Sequence, residues 1–450
     1  MNSIIETLSS SRKGIEDVLV SMIPHIVMFV TGFLTSVFIA RGLGPKGMGS
    51  YALILSVSGL ASALSDLGIG QTAIRFASQA VAQNNLSLQF SILRWAFRVR
   101  MVMVFLVSIA ILTISSLITV KFWKAPELTF LLRVSLLIGV VSAVSAIPTI
   151  YFQSLKRFKM NSAVLVFQTL ISFLGIVLLA TYKIWTLEMV LGVNIISVSV
   201  SAIVFIILVP KDSFYANVDF FKAKGSLLEK LFKPPPYHQE IKSSLDSTNV
   251  STFTFYMMIS SFLVTLSMRA DIWLMGYYLD KSQIGLYSVA TRYTLPLVVI
   301  LGALNTTLWP RVSALTSLAR TKEIIKKTFQ ISILIAGFSV IYSILIPLTM
   351  PYVFGSKYND GVLIGQLLCL RYSISILICP LGVVAYSLGF VKIFWWINLI
   401  QLLIIVVGNT ILLKSMGILA AGLSLLLMEL FGAVSMMTIL WKKYRILQVT

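Results

Sequence analysis

Uninterrupted apolar stretches of twenty or more residues recur from end to end of this chain, separated by short segments that hold most of its Lys and Arg. A stretch of ~20 apolar residues matches the ~30 Å hydrocarbon layer of a bilayer and is about twice the length of a barrel strand. Inside hydrocarbon every backbone N–H and C=O must be bonded within the protein, so runs of this length are helices. The expected fold class is therefore an all-α integral membrane protein. Hydrophobic residues make up 58% of the 450 and charged ones 12%, and mean hydropathy is +0.93, a balance outside the range of soluble domains.

Twelve spans are expected, at 18–40, 47–69, 99–120, 128–153, 160–182, 185–209, 250–278, 283–308, 328–350, 360–388, 391–413 and 416–440. Residues 1–17 carry Glu6, Arg12, Lys13, Glu16 and Asp17 and lack the short apolar core of a leader, so the first span itself is expected to direct insertion. Of the 36 basic residues, only Arg41, Lys46, Lys121, Lys124, Lys183, Lys281, Lys357 and Lys414 fall on the side opposite the termini, and 24 fall on the side of the termini. Basic loops stay cytoplasmic, so both termini are expected to face the cytoplasm of a multi-pass protein in the cell's inner membrane. The net charge of +20 is spread over short loops rather than gathered on one domain, which argues against nucleic acid and for topology and inner-leaflet attraction.

The chain divides into an N-terminal six-helix bundle at 1–209, a cytoplasmic linker at 210–249 with Pro234-Pro235-Pro236-Tyr237 inside it, and a C-terminal six-helix bundle at 250–450 with a short tail. A repeat supports that division. Leu43, Gly49 and Tyr51 form Leu-x5-Gly-x-Tyr, and Leu279, Gly285 and Tyr287 form it again 236 residues later. Ser154-Leu155, Lys159 and Gln168 return as Ser387-Leu388, Lys392 and Gln401 at an offset of 233. Duplicated halves of six spans have parallel orientation, and such bundles pack around a central cavity. Gly42, Gly44, Gly47, Gly49, Gly68 and Gly70 suit tight turns or hinging at the ends of the first helix pair.

Four arginines, Arg133, Arg269, Arg292 and Arg371, stand inside spans. A charge at the bilayer centre costs roughly 2.5 to 3.5 kcal/mol on insertion scales, so such residues face a polar interior. The deep acids are Asp271 and Glu429. Pairs such as Arg371 with Glu429 or Arg292 with Asp271 would hold the bundle together, yet four arginines against two acids leave a positive surplus that suits an anionic cargo. Arginine's planar fork gives phosphate two parallel hydrogen bonds, which makes a pyrophosphate-bearing lipid a fitting ligand. Asp271, Glu429 and Asp66 are the candidate charge partners or proton or sodium coupling groups, and Asp66 can pair with Arg75. No metal site, cofactor or catalytic group is expected: His25 and His238 are the two histidines, and Cys369 and Cys379, ten residues apart on one span, are separated by about 15 Å along a helix.

Phe38-Ile39-Ala40-Arg41-Gly42-Leu43-Gly44-Pro45 with Gly49-Ser50-Tyr51-Ala52, then Asp66-Leu67-Gly68 and Arg75, and Gly285-Leu286-Tyr287-Ser288-Val289-Ala290-Thr291-Arg292 with Pro310-Arg311-Val312-Ser313, resemble the polysaccharide transporter branch of the multidrug/oligosaccharidyl-lipid/polysaccharide (MOP) flippase superfamily, which includes O-antigen flippases. The resemblance implies alternating access by two bundles that move a polyprenyl-pyrophosphate-linked oligosaccharide from the cytoplasmic to the outer leaflet. Other polysaccharide-assembly proteins are the partners it admits besides the membrane and the lipid-linked anionic cargo. The lipid II flippase branch differs in its greater number of spans and an Arg-Asp pair in its first helix, which this chain lacks. A multidrug or organic-cation exporter of the same fold calls for an acidic or aromatic cavity, and a membrane glycosyltransferase or polymerase calls for acid/base carboxylates and a sizeable outer loop.

Overall fold

The computed structural model describes residues 2–210, 250–313, 318–387 and 391–449. The linker core and its proline run lie outside them, as do the side chains of His25, Arg75 and the Pro310-to-Ser313 motif. The helices are α1 (Asn2–Asp66), α2 (Ile69–Ala82), α3 (Leu86–Ser116), α4 (Thr129–Ser154), α5 (Phe158–Thr181), α6 (Leu187–Leu208), α7 (Val250–Tyr278), α8 (Lys281–Tyr293), α9 (Leu295–Ser313), α10 (Leu318–Phe354), α11 (Val362–Ser387), α12 (Val391–Met416) and α13 (Ile418–Val449). No strand occurs among the described residues.

Among the described residues, ten helices are long and apolar enough to cross a membrane, or eleven when a bent pair is taken as one span. The sequence count of twelve is thus not met by length and composition alone, and the reason is α1. Its apolar part, Ile26–Asp66, runs 41 residues, which at ~1.5 Å per residue is about 60 Å, twice the hydrocarbon thickness. Gly44 interrupts it at φ 65° and ψ 179°, a left-handed backbone that a side chain disfavours. Dividing α1 there reaches twelve. The bent pair is Lys281–Tyr293 with Leu295–Leu304, at 42°. Pro296 has no N–H for the carbonyl four residues back, that of Arg292, so the helix breaks beside a charged side chain.

Two compact units emerge, and they are not the two halves of the sequence: residues 39–60 and 114–132 group with the C-terminal helices. In the first unit, the 14-residue α2 buries Ile69, Ala73, Ala77 and Ala80 against Leu93, Ala96, Ile150, Phe152 and Phe205, a helical spacing that leaves its other face polar. The elbow before α2 uses Leu67 at φ 36° and Gly68 at φ 81°. Asp66 holds it by accepting from the Gly70 N–H at 2.9 Å and from the buried Arg100 guanidinium. A Cβ on Gly70 would lie 2.8 Å from the Asp66 carboxylate, so a side chain there would displace Asp66 from this contact.

In the second unit the two copies of Leu-x5-Gly-x-Tyr meet. A Cβ on Gly49 would fall 1.8 Å from the Lys281 carbonyl oxygen, and one on Gly285 would fall 1.9 Å from that of Pro45. Lys281 follows Pro45 by the same 236 residues that separate Gly285 from Gly49. The contact is therefore reciprocal, each copy presenting its glycine to the other's turn, as in an isologous dimer interface. Around it, Arg41 donates to the Tyr352 and Val353 carbonyls at 2.7 and 2.8 Å, which are the unpaired acceptors at the end of α10. The Tyr358 hydroxyl donates to the Ala40 carbonyl at 2.7 Å, and Lys281 pairs with Glu127. Elsewhere in this unit α10 packs on α11, α7 on α12, and α13 on both α11 and α12.

Replacing Gly49 or Gly285 with Ala drives a methyl into backbone, and overpacking of this kind costs roughly 1–3 kcal/mol or more. Thermal unfolding in detergent should show a clear drop for each, whereas Gly302→Ala, where no atom lies within 4 Å of the added Cβ, should unfold like the wild type. Equal midpoints for all three would refute the close crossing.

Candidate functional site

Among the described residues Asp271 is the most buried acid of the second unit, with 6% exposure on α7. An isolated carboxylate at that depth would be prohibitive, so its oxygens must be bonded. One accepts from the Tyr287 hydroxyl and the other from the N–H of Ile272 at 2.7 Å. Tyr287 is the tyrosine of the second motif copy and is itself buried. Counting back 236 residues from Asp271 reaches Thr35, so the acid is not repeated at the matching place of the first copy.

Arg269 precedes Asp271 by two positions, about 200° around the helix, and the two cannot share a face. Its guanidinium lies against Gly59 instead, where a Cβ would come within 2.8 Å of Nη2. Arg269 interacts electrostatically with both Asp271 and Arg292. Arg371, on α11, donates from Nε to Glu429 on α13 at 3.4 Å, and its guanidinium carbon stands 5.1 Å from the centre of the Tyr372 ring. Asp271 and Arg371 also interact. Three arginines and two acids from α7, α8, α11 and α13 thus form one charged cluster with a formal surplus of positive charge. Trp273 is tied to Ser56 at 2.8 Å on the neighbouring stretch of α1.

The structure brings together Arg269, Arg292, Arg371, Asp271 and Glu429. It separates two others from that group: Arg133 is exposed on α4 and belongs with Asp66 to the first unit. Asp66 has Arg100 as its described partner, a role in an elbow rather than in the charged cluster. The pairing of Arg371 with Glu429 anticipated from composition occurs, while Asp271 takes a tyrosine. Arg100, Tyr287 and Tyr372 are site residues that sequence reasoning does not pick out. Arg100 sits where a span begins and reads as one more loop cation, and a tyrosine gives no signal of buried acid contact until the fold brings an acid to it.

Arg371 meets its carboxylate through Nε alone, and a guanidinium engaged on one edge has the chemistry to pair with an anion on the other. Residues 15–316 match a family model described as polysaccharide biosynthesis protein. No curated protein matches the chain by sequence. Among solved structures, the lipid II flippase MurJ in an inward closed conformation is similar at 15% identity, with a TM-score of 0.67 over 94% of this chain and 87% of that one. An inward-facing multidrug resistance MATE family transporter of the MOP superfamily gives 10% identity and a TM-score of 0.64, covering 93% and 94%. A MOP superfamily transporter from Pyrococcus furiosus, described as having a binding pocket of reversed polarity, gives 14% and 0.58, covering 95% and 93%. At these identities the likeness establishes a shared fold.

Tyr287→Phe removes the hydroxyl from Asp271 and leaves a buried carboxylate oxygen unbonded, at a cost of roughly 1–3 kcal/mol. A double-mutant cycle with Asp271→Asn, read by thermal unfolding, should return a coupling of about 1 kcal/mol or more. Additive effects would show that the contact carries no energy.

Proposed function

Because this chain belongs to the polysaccharide biosynthesis protein family and has the MOP-transporter fold, we propose that it is a flippase that carries a lipid-linked anionic oligosaccharide from the cytoplasmic to the outer leaflet. The cargo in this reading is a polysaccharide repeat unit on a polyprenyl diphosphate. The observation that carries it is the arginine-rich cluster of Arg269, Arg292 and Arg371 set among otherwise apolar helices, with Asp271 held by Tyr287 and Glu429 engaging Arg371 from one side. Charge at such depth is expensive and is retained where it serves a passenger. In this reading the halves at 1–209 and 250–450 provide alternating access, and Arg133 is a further candidate contact for the anionic headgroup.

The organic-cation reading draws on the MATE likeness in fold, but a site with three arginines repels cations, and electrostatic complementarity governs which partner is admitted. The membrane in question is the cytoplasmic one, with both termini inside, on the basis of where the basic loops fall.

In proteoliposomes, a fluorescent polyprenyl-diphosphate oligosaccharide should be translocated by the wild type, and Arg292→Ala and Arg371→Ala should lower the rate by about tenfold or more, the worth of one charge-assisted contact of roughly 1.5–3 kcal/mol. Lys at either position should retain more activity than Ala. Export of organic cations with the lipid left in place would replace this reading with the exporter. Reporter fusions at each terminus should locate both in the cytoplasm, and an external C-terminal tag would reverse the assignment.

A further inference from the structure

The repeat allows the Arg371–Glu429 pair to be compared with the other half of the same chain. Helices α4 and α11 each have 26 residues, and their ends correspond at the offset of 233 that relates Ser154-Leu155 to Ser387-Leu388. The same offset relates Gln168 to Gln401. Both glutamines tie one helix to the next. Gln168 accepts from Ser201 at 3.0 Å and links α5 to α6, while Gln401 donates to the Met428 carbonyl at 3.3 Å and links α12 to α13. At that offset the counterpart of Arg371 is Ile138, and α6 and α13 correspond at an offset of 231, since Gly175 packs on Val193 and Gly408 on Ser424, which puts Val198 in the place of Glu429. The first copy of the framework is thus built with isoleucine and valine at these places, and the ion pair is an addition that the repeated architecture does not require.

The geometry of the addition is specific. Glu429 meets only the Nε edge of the guanidinium, at 3.4 Å, and the two side chains are about equally exposed at 21% and 20%. The Tyr372 ring lies beside the guanidinium. No described residue bonds to Nη1 or Nη2, and neither is a sealed, unbonded atom of the interior. Asp271, the other acid nearby, is engaged by Tyr287 and Ile272. Two of the three determinants of guanidinium orientation are therefore occupied, the Nε edge and a ring against the plane, and the remaining Nη1–Nη2 edge has the two parallel donors that a phosphate takes in bidentate fashion. The Gln401 tie holds the residue just before Glu429, and Gly432 leaves room for it, since a Cβ there would fall 2.5 Å from Gln401 Nε2.

We infer that Glu429 is a positioning residue: it turns Arg371 so that its terminal edge captures the phosphate of the cargo, in a site carried by the C-terminal copy of the repeat. The inference rests on the flippase reading above and specifies which group meets the headgroup and what orients it. At 3.4 Å the contact is longer than the ~2.7–2.9 Å of a tight charge-assisted bond, so Glu429 steers the guanidinium without saturating it.

The test is equilibrium binding of farnesyl diphosphate, and of farnesol as the uncharged control, to purified full-length protein in detergent. Glu429→Ala should weaken diphosphate binding about tenfold, the ~1.4 kcal/mol expected for a lost orienting contact. Glu429→Gln, which can still accept from Nε, should stay within about threefold, a few tenths of a kcal/mol up to ~0.7. Arg371→Lys, which keeps the charge and loses the fork, should fall as far as Glu429→Ala. The double substitution Arg371→Ile with Glu429→Val, copying the first half, should remain folded by thermal unfolding and bind diphosphate no better than farnesol. Tighter binding by Glu429→Ala would make the carboxylate a competitor of the cargo, and equal losses for Gln and Ala would make its charge rather than its geometry decisive; either overturns the inference while leaving the flippase reading intact. If the wild type does not prefer diphosphate to farnesol, both fall together.

Discussion

No backbone polar group can be left unbonded in hydrocarbon, and the organisation of this protein follows from that constraint. It makes the spans helical and turns their hydroxyls inward on the helix itself. Thr31 donates to Val27, Thr35 to Thr31, Ser36 to Gly32 and Ser288 to Ile284, each to the carbonyl one turn back. It also dictates how helices end. Arg41 satisfies two carbonyls at the end of α10, and Asp66 satisfies an N–H at the start of α2. A charged side chain in such a protein is drawn to backbone ends as readily as to other charges, so an arginine near a span is not by itself a binding group.

Where charges meet within the spans, the partners differ in kind. Asp271 is engaged through a neutral hydroxyl and a backbone N–H, an arrangement that stabilises a buried carboxylate without consuming a guanidinium. Arg371 is engaged from one edge only. Among the described residues Arg371 is thereby left with donors to spare, unlike a guanidinium fully consumed by an ion-pair network that holds helices together. The Gly49–Gly285 crossing works by the opposite logic. It contains no side chain at all, only backbone brought close enough that a methyl is excluded, and van der Waals packing of small residues is the usual adhesive between helices when lipid is as apolar as they are.

Duplication links these observations. The repeated Leu-x5-Gly-x-Tyr copies pack on each other, and each repeated glutamine bonds to the last helix of its half, Gln168 as acceptor and Gln401 as donor. Against that shared frame the differences stand out: Asp271, which meets Tyr287, corresponds in sequence to Thr35, and Arg371 and Glu429 correspond to Ile138 and Val198. Features common to both copies serve the architecture, and features found in one copy are the ones available for recognising a cargo.

The helices, their number once α1 is divided at Gly44, the repeat, and the presence of excess arginine deep in the spans were legible in the sequence. Each depends on local composition, and a twenty-residue apolar run has few ways to satisfy its backbone. Which arginines act together was not legible. Arg133 reads like Arg371 in sequence and stands exposed in a different unit, while Arg100 reads like a loop cation and is buried against Asp66. The partners that decide these cases lie tens to hundreds of residues away, Arg371 from Glu429 by 58 and Trp273 from Ser56 by 217. Helical periodicity determines which residues share a face. Only the packing of one helix on another decides what that face meets, and so whether a charge becomes a clasp, a cap or a ligand.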